Sequence, residues 1–187
     1  MGHMDKNIAV FCGSRFGNVP EWKDWAYDLG KGIAERGWGL VFGGGSRGLM
    51  GQVSEGVFNN QGRVTGVIPE NLLSEKPNQE SLSELHFVKT MSERKQLMGQ
   101  LSDAFVIIPG GIGTFDELFD VWATAQIGSH KKSIILANWS GYYDPLIQFL
   151  QHSMDNGFMI DSHFEKIQVV TTVEGVFSKL QANLQAN

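Results

Sequence analysis

The chain has 187 residues, 42% of them hydrophobic, with 23 glycines, a net charge of −5 and a pI near 5.5. That length suits one well-buried domain and is short for two. The acidic balance, with no run of Lys and Arg, excludes a broad surface for nucleic acid or anionic membrane while leaving room for a local phosphate site. The lone cysteine, Cys12, excludes an intrachain disulfide and a Cys-rich metal site. No apolar stretch approaches the roughly 20 residues of a membrane span, and the N-terminus lacks a signal-peptide pattern, so a cytoplasmic protein is expected. Residues 1–4 read as the remnant of a cleaved expression tag, which leaves 5–187 as the expected domain.

Ile8-Ala9-Val10-Phe11-Cys12 is an apolar run that breaks at Gly13-Ser14-Arg15, the pattern of a buried strand ending in a glycine turn. From Glu21 to Arg36, Trp22, Trp25, Ala26, Leu29, Ile33 and Ala34 recur at helical spacing, and Gly37 supplies a stop. Gly39-Leu40-Val41-Phe42 is a second strand ending in Gly43-Gly44-Gly45, and a helix opens at Gly48 and runs to about Gln61. Val64 to Ile68 is a third strand, closed by Pro69. Residues 71–84 are polar, with Pro77-Asn78-Gln79 in the middle, and predict a surface loop or a poorly formed helix that could lie over a site.

Further strands are expected at Leu85 to Val88, Ala104 to Ile108, Ser133 to Ala137 and Ile167 to Val170. The helices between and after them run over Met91 to Leu101, onward from the glycine turn at 110–113, over Tyr142 to Met154, and from about Thr172 to Asn183. Seven short strands alternating with helices predict an α/β fold: a Rossmann-like three-layer sandwich with a mostly parallel seven-stranded sheet covered by helices on both faces. Ligands of such sheets bind beyond the carboxyl ends of the strands, where the strand order reverses. The glycine turns at 13, 43–45 and 110–113 all follow strands and are expected to converge there.

Pro109-Gly110-Gly111-Ile112-Gly113-Thr114-Phe115-Asp116-Glu117 carries the chemistry. Three glycines in four positions leave amide N–H groups uncovered, and the helix that follows adds unpaired donors and a positive dipole end, which together suit an anion, most simply a phosphate. Thr114 and Glu117 also satisfy the T-x-x-E capping-box pattern, as do Thr90…Glu93 and Thr171…Glu174, so a structural role competes with a functional one. The Pro-Gly-Gly-x-Gly prefix favours function for the Thr114 copy. Asp116 is expected near a sugar and Asp120 in a structural role. Arg94 and Lys95 stand near a helix start, where the dipole disfavours cations and an anionic partner is implied. Ser14 and Arg15 offer a hydroxyl and a guanidinium from the first glycine turn.

Other residues read as structural. Cys12 belongs to an apolar strand. Trp122, Phe119 and Met91 have the spacing of core residues, although they could also line a base pocket. His86, His130, His152 and His163 show no metal-like spacing, so no metal is expected. Residues 43–48 match G-x-G-x-x-G in letters, but they follow the second strand and lack the acidic residue a dinucleotide site needs.

Taken together, Phe11-Cys12-Gly13-Ser14, residues 43–51, Met91-Ser92-Glu93-Arg94-Lys95 and the 109–117 element resemble the LOG (Lonely guy) family over nearly the whole chain. The resemblance extends to Gly66-Val67-Ile68-Pro69, to Gly141-Tyr142-Tyr143-Asp144 and to Gly157-Phe158. One departure is Lys132-Ser133, where the family usually has Lys-Pro; it affects a turn. The resemblance implies a cytokinin riboside 5′-monophosphate phosphoribohydrolase, with relatives that act on AMP, releasing a free base and ribose 5-phosphate without a cofactor. An older label of lysine decarboxylase finds no pyridoxal residue set here.

The resemblance also implies Arg94 and Glu117 as the catalytic pair. The substrate contacts it implies are Gly13, Ser14, Arg15, Gly44, Gly45, Met91, Lys95, Gly110, Gly111, Gly113, Thr114 and Asp116. A homodimer or larger homo-oligomer is implied as well. Cleaving an N-glycosidic bond builds positive charge on the ribose, so Glu117 suits activation of water and Arg94 suits holding the nucleotide, with the contact to the leaving base open between them. The alternative is a non-hydrolytic nucleotide or molybdenum-cofactor binding module on the same scaffold. A single-stranded DNA binder on a related fold is disfavoured by the acidic pI.

Overall fold

The protein's structure, a computed structural model, describes residues 6–75 and 81–185. Residues 1–4 and Pro77-Asn78-Gln79 therefore lie outside the described residues. The strands are β1 (Asn7–Phe11), β2 (Gly39–Phe42), β3 (Arg63–Pro69), β4 (Glu84–Val88), β5 (Ala104–Ile107), β6 (Ser133–Ala137) and β7 (Ile167–Val170). The helices are α1 (Glu21–Glu35), α2 (Gly48–Asn59), α3 (Met91–Leu101), α4 (Ile112–Gln126), α5 (Asp144–Asp155), the short α6 (Asp161–Phe164) and α7 (Val173–Gln185). Every strand pair is parallel, and the order is β4-β3-β2-β1-β5-β6-β7.

The apolar runs are continuous because the sheet is buried on both faces. On β1, Ile8 and Val10 pack with Trp22, Ala26, Leu29 and Ile33 of α1, Val53 and Val57 of α2, and Val176 and Leu180 of α7. The alternating residues Ala9 and Phe11 pack instead with Met98 of α3, Leu118, Val121 and Trp122 of α4, and Leu150 of α5. This is the expected three-layer sandwich. α1 and α2 meet closely: a Cβ on Gly30 would fall 2.0 Å from the Val53 carbonyl oxygen, and one on Gly56 would fall 2.2 Å from that of Tyr27.

The chain steps outward from β1 to β4, and α3 then carries it back to β5 on the other side of β1. The reversal leaves a crevice beyond the carboxyl ends of β1, β2 and β5, where a doubly wound sheet binds its ligand. Three local features differ from the sequence reading. α5 begins at Asp144 rather than Tyr142, because Pro145 is suited to the first turn of a helix and residues 139–141 form a separate 3-10 turn. The short α6 has too few residues for a readable period. The start of the 71–84 stretch belongs to a 3-10 turn over Glu70–Glu75.

Candidate active site

The three glycine turns meet in one cavity of about 540 Å³. The turn after β1 contributes Cys12, Gly13, Ser14 and Arg15. The turn after β2 contributes Gly43, Gly44, Gly45, Ser46 and Arg47, with Met50 of α2. The turn after β5 contributes Gly111, Ile112, Gly113, Thr114 and Glu117 of α4, while Ile68, Leu72 and Arg94 complete the wall. The turns are locked together through the backbone: Gly13 N–H donates to the Pro109 carbonyl at 3.0 Å, and Met50 N–H donates to the Gly13 carbonyl at 3.2 Å.

The anion end of the cavity follows from how α4 starts. Its N-cap is Gly111, which has no side chain to cap the helix, and no acidic residue occupies the first turn. Ile112, Gly113 and Thr114 are thus the first three helical residues, with amides that the helix itself does not pair. Among the seven helices of the described residues, only α2 and α4 lack a first-turn carboxylate, and both open on this cavity.

The helix start also decides the capping-box question. Because α4 begins two residues before Thr114, Glu117 lies beyond the first turn, and the Thr114…Glu117 pair forms no cap. At α3 the pattern does form its cap: Glu93 N–H donates to Thr90 Oγ1 at 3.1 Å, and the Glu93 carboxylate accepts from Lys89 N–H at 2.8 Å. At α7 the capping oxygen belongs to Thr172, which accepts from Gly175 N–H at 3.0 Å, so Thr171 is not the cap.

Glu117 is 8% exposed, and among the described residues no donor lies within hydrogen-bonding distance of its carboxylate. Burial pushes its pKa up to about 7, and the Arg94 charge partly offsets that rise. A carboxylate that exchanges its proton near neutral pH is suited to acid–base work. Arg94 is equally buried, at 8% exposure, and is held by backbone carbonyls. Its Nε donates to Val67 O at 3.2 Å and its Nη2 to Gly43 O at 3.1 Å. Two neutral acceptors fix the guanidinium without neutralising it, so its charge remains available to the cavity.

Among the sequence-predicted residues, Gly13, Ser14, Arg15, Gly44, Gly45, Arg94, Gly111, Gly113, Thr114 and Glu117 line this cavity. Gly110 lies behind it, where its carbonyl accepts from the Tyr142 hydroxyl and it borders a neighbouring hollow lined by Phe16, Trp22 and Tyr142. Met91, Lys95 and Asp116 stand off the wall: Met91 Sδ receives Arg94 Nη1 at 3.9 Å, and Lys95 Nζ pairs with Asp116 at 3.1 Å and Asp120 at 3.3 Å. Trp122 is core, 4% exposed, and donates to the His163 carbonyl at 2.8 Å. Cys12 is buried, and burial pushes its thiol pKa up, which suits an inert wall residue. Sequence reasoning missed Arg47 as a wall residue. Its signal was an arginine directly after a strand-end glycine turn, the same signal that singled out Arg15.

The fold and this cavity define a Rossmann-like protein with an anion-receptive crevice that holds a buried carboxylate and a backbone-anchored arginine. Residues 50–180 match the protein-family profile described as "Possible lysine decarboxylase". The chain is 40% identical over 176 residues to the cytokinin riboside 5′-monophosphate phosphoribohydrolase LOG of Oryza sativa subsp. japonica, covering 94% of this chain and 73% of that protein. It is 42% identical over 176 residues to the probable enzyme of that name, LOG6, of Arabidopsis thaliana, covering 94% and 88%. In fold it resembles the Moco carrier protein of Chlamydomonas reinhardtii, with a TM-score of 0.71 at 22% identity over 98% of this chain and 99% of that one. The chain belongs to the LOG family of phosphoribohydrolases.

Proposed function

We propose that this protein hydrolyses the N-glycosidic bond of adenine-type nucleoside 5′-monophosphates, cytokinin riboside 5′-monophosphate or AMP, to free base and ribose 5-phosphate. The observation that carries this reading is Glu117, an unpaired buried carboxylate with a pKa near 7 in the same cavity as Arg94 and the uncapped start of α4. The phosphate sits on the amides of residues 112–114 with Thr114, and Ser14 and Arg15 contact the nucleotide from the opposite turn. Glu117 takes a proton from water as the water oxygen bonds to C1′, and the C1′–N bond breaks with its electron pair leaving on the base. The base takes up a proton from solvent, Glu117 returns its own to solvent to reset the site, and Arg94 holds the nucleotide in place. Because the phosphate is remote from the breaking bond, its binding energy serves to position the sugar.

The binding-module alternative shares the fold, and at 22% identity the carrier protein speaks for the fold alone. An unpaired carboxylate titrating near neutrality suits proton transfer better than passive binding of an anion, which favours hydrolysis. We further read the protein as a cytoplasmic homodimer or larger homo-oligomer. Among the described residues no helix is long and apolar enough to cross a membrane, and Ile112, Ile127 and Phe158 are 83%, 77% and 85% exposed. Chromatographic detection of free base from AMP, from N6-isopentenyl-AMP and from adenosine tests the reading. Both monophosphates, or one of them, should release base while adenosine turns over poorly. AMP binding without base release would give the site to the carrier class, and equal turnover of adenosine and AMP would remove the phosphate anchor.

A further inference from the structure

The turn that leads from β5 into α4 is held by the turn after β6. Three successive carbonyls there each accept a hydrogen bond from a different donor: Ile108 O from the Tyr143 hydroxyl at 2.8 Å, Pro109 O from Gly13 N–H at 3.0 Å, and Gly110 O from the Tyr142 hydroxyl. Tyr142 is itself firmly seated. Its N–H donates to the Trp139 carbonyl at 3.0 Å, and its ring packs edge-on with Trp22 at 5.3 Å and with Tyr143 at 4.9 Å. Tyr143 N–H donates to Asn138 Oδ1 at 2.7 Å, and Asn138 Nδ2 donates to Asp144 Oδ1 at 2.7 Å, which fixes the tyrosine pair beyond the end of β6.

The three carbonyls differ in how much they need an anchor. Ile108 is still tied to β1, its N–H donating to Phe11 O at 3.1 Å, and the ring of Pro109 fixes its own φ. Gly110 and Gly111 have neither restraint, and the peptide between two glycines rotates at little steric cost. That peptide is trans, so its N–H, which belongs to Gly111, points opposite to the carbonyl that Tyr142 holds. Among the described residues no acceptor pairs with the Gly111 N–H. Gly111 lines the cavity, whereas Tyr142 borders only the neighbouring hollow.

We propose that Tyr142 is a positioning residue for the phosphate: by holding the Gly110 carbonyl it turns the Gly111 N–H into the cavity, where that amide joins those of residues 112–114. The proposal rests on the reading of the α4 start as the phosphate site of a hydrolase. A peptide free to rotate would present its carbonyl to the phosphate part of the time, and a carbonyl oxygen repels the anion that the N–H attracts. Tyr142→Phe frees the peptide while keeping the ring and its packing. KM for AMP should rise roughly 3–10-fold, the scale of one net hydrogen bond, with kcat within about twofold of wild type. For adenosine, which has no phosphate to place, kcat/KM should be unchanged.

Tyr143→Phe is the companion variant. Tyr143 grips Ile108, ahead of Pro109, so its loss should lower the melting temperature and leave the ratio of kcat/KM for AMP to that for adenosine at the wild-type value. A Tyr142 that merely braces the fold would lose activity on AMP and adenosine alike, and that result overturns the proposal; so does an unchanged KM for AMP. A second readout needs no turnover: calorimetric titration with ribose 5-phosphate and with adenine. In Tyr142→Phe the dissociation constant of ribose 5-phosphate should rise by the same factor as KM, and that of adenine should stay put. A wild-type protein that binds no ribose 5-phosphate would overturn the phosphate site on which the proposal rests. Equal ribose 5-phosphate affinity in wild type and Tyr142→Phe would overturn the role of Tyr142 alone.

Discussion

The Arg94 guanidinium occupies the space that a side chain at position 43 would need. A Cβ built on Gly43 falls 1.7 Å from Arg94 Nη2, the same atom that donates to the Gly43 carbonyl at 3.1 Å. The glycine after β2 is thus part of the arginine's socket, and the first prediction follows from it. Gly43→Ala should fold, because the displaced atoms belong to the end of a flexible side chain. It should also lose roughly 100-fold in kcat as the guanidinium moves, the scale expected of a displacement near 1 Å. Steady-state kinetics with a far-UV spectrum check this, and an unchanged kcat would show that Arg94 does not depend on its socket.

Arg94→Lys keeps the charge but brings a single ammonium to a place where a planar fork reaches two carbonyls. Activity should fall by one to two orders of magnitude while the pH limb stays near its wild-type position. Arg94→Met, which removes the charge that favours ionised Glu117, should push the limb upward as well. The two pH–rate profiles separate the geometric contribution of Arg94 from its electrostatic one.

Glu117 makes stability depend on pH with a definite sign. Its folded pKa of about 7 lies above the ordinary value of 4.5, so between those values the folded state holds a proton that the unfolded state has released. Stability from this group is fully present below pH 4.5 and is lost as pH rises through 7. Glu117→Gln, the isostere of the protonated form, should melt together with wild type at pH 4 and higher than wild type at pH 8. The difference at pH 8 is expected at roughly 2–3 kcal/mol, or about 5–10 °C. Base release should fall by ~10²–10⁴-fold in the same variant with AMP binding retained. Calorimetric melts at the two pH values, beside a titration with AMP, measure both; superposed melts at pH 8 would remove the buried ionised carboxylate.

Adjacent glycines of the same turn should fail differently. A Cβ on Gly110 would fall 2.0 Å from Thr114 Oγ1 and 2.8 Å from Gly13 N, so Gly110→Ala forces the β1 and β5 turns apart and should lower the melting temperature. A Cβ on Gly111 meets nothing within 4 Å, and its φ of −106° is open to any residue. Gly111→Ala should keep wild-type stability and, if α4 receives the phosphate as proposed, raise KM for the phosphorylated substrate, because the added methyl projects from the N-cap of that helix. Melting curves and KM values for the pair distinguish the two roles.

The strands were legible because their cause is local. A strand buried on both faces must be apolar throughout, as Ile8 to Cys12 and Ala104 to Ile108 are, and a turn at its carboxyl end needs the glycines that follow it. The same logic exposed the anion end of the cavity, where an uncovered backbone requires small residues at known positions. The capping boxes show where local reasoning stops. Thr90, Thr114 and Thr171 carry one pattern and meet three outcomes, because a helix begins where the preceding strand and turn deliver the chain; at α4 the cap falls on Gly111, three residues ahead of Thr114. Lys95 shows the same limit: its cationic neighbour Arg94 enters the cavity while Lys95 turns to Asp116 and Asp120, a choice made by which face of α3 meets α4.

By itself, then, the sequence determined an α/β chain of seven strands, three strand-end glycine turns and a carboxylate beside one of them. Each of these depends on the conformational limits of residues close together in the chain. Only the tertiary structure decided that Glu117 is buried, unpaired and titrating near neutral pH. It alone decided that Arg94 is seated against Gly43 and Val67, that Arg47 joins the wall, and that Trp122 belongs to the core. Desolvation, charge pairing and steric fit depend on which distant segments come together, and here the crossing of α3 back to β5 makes that selection.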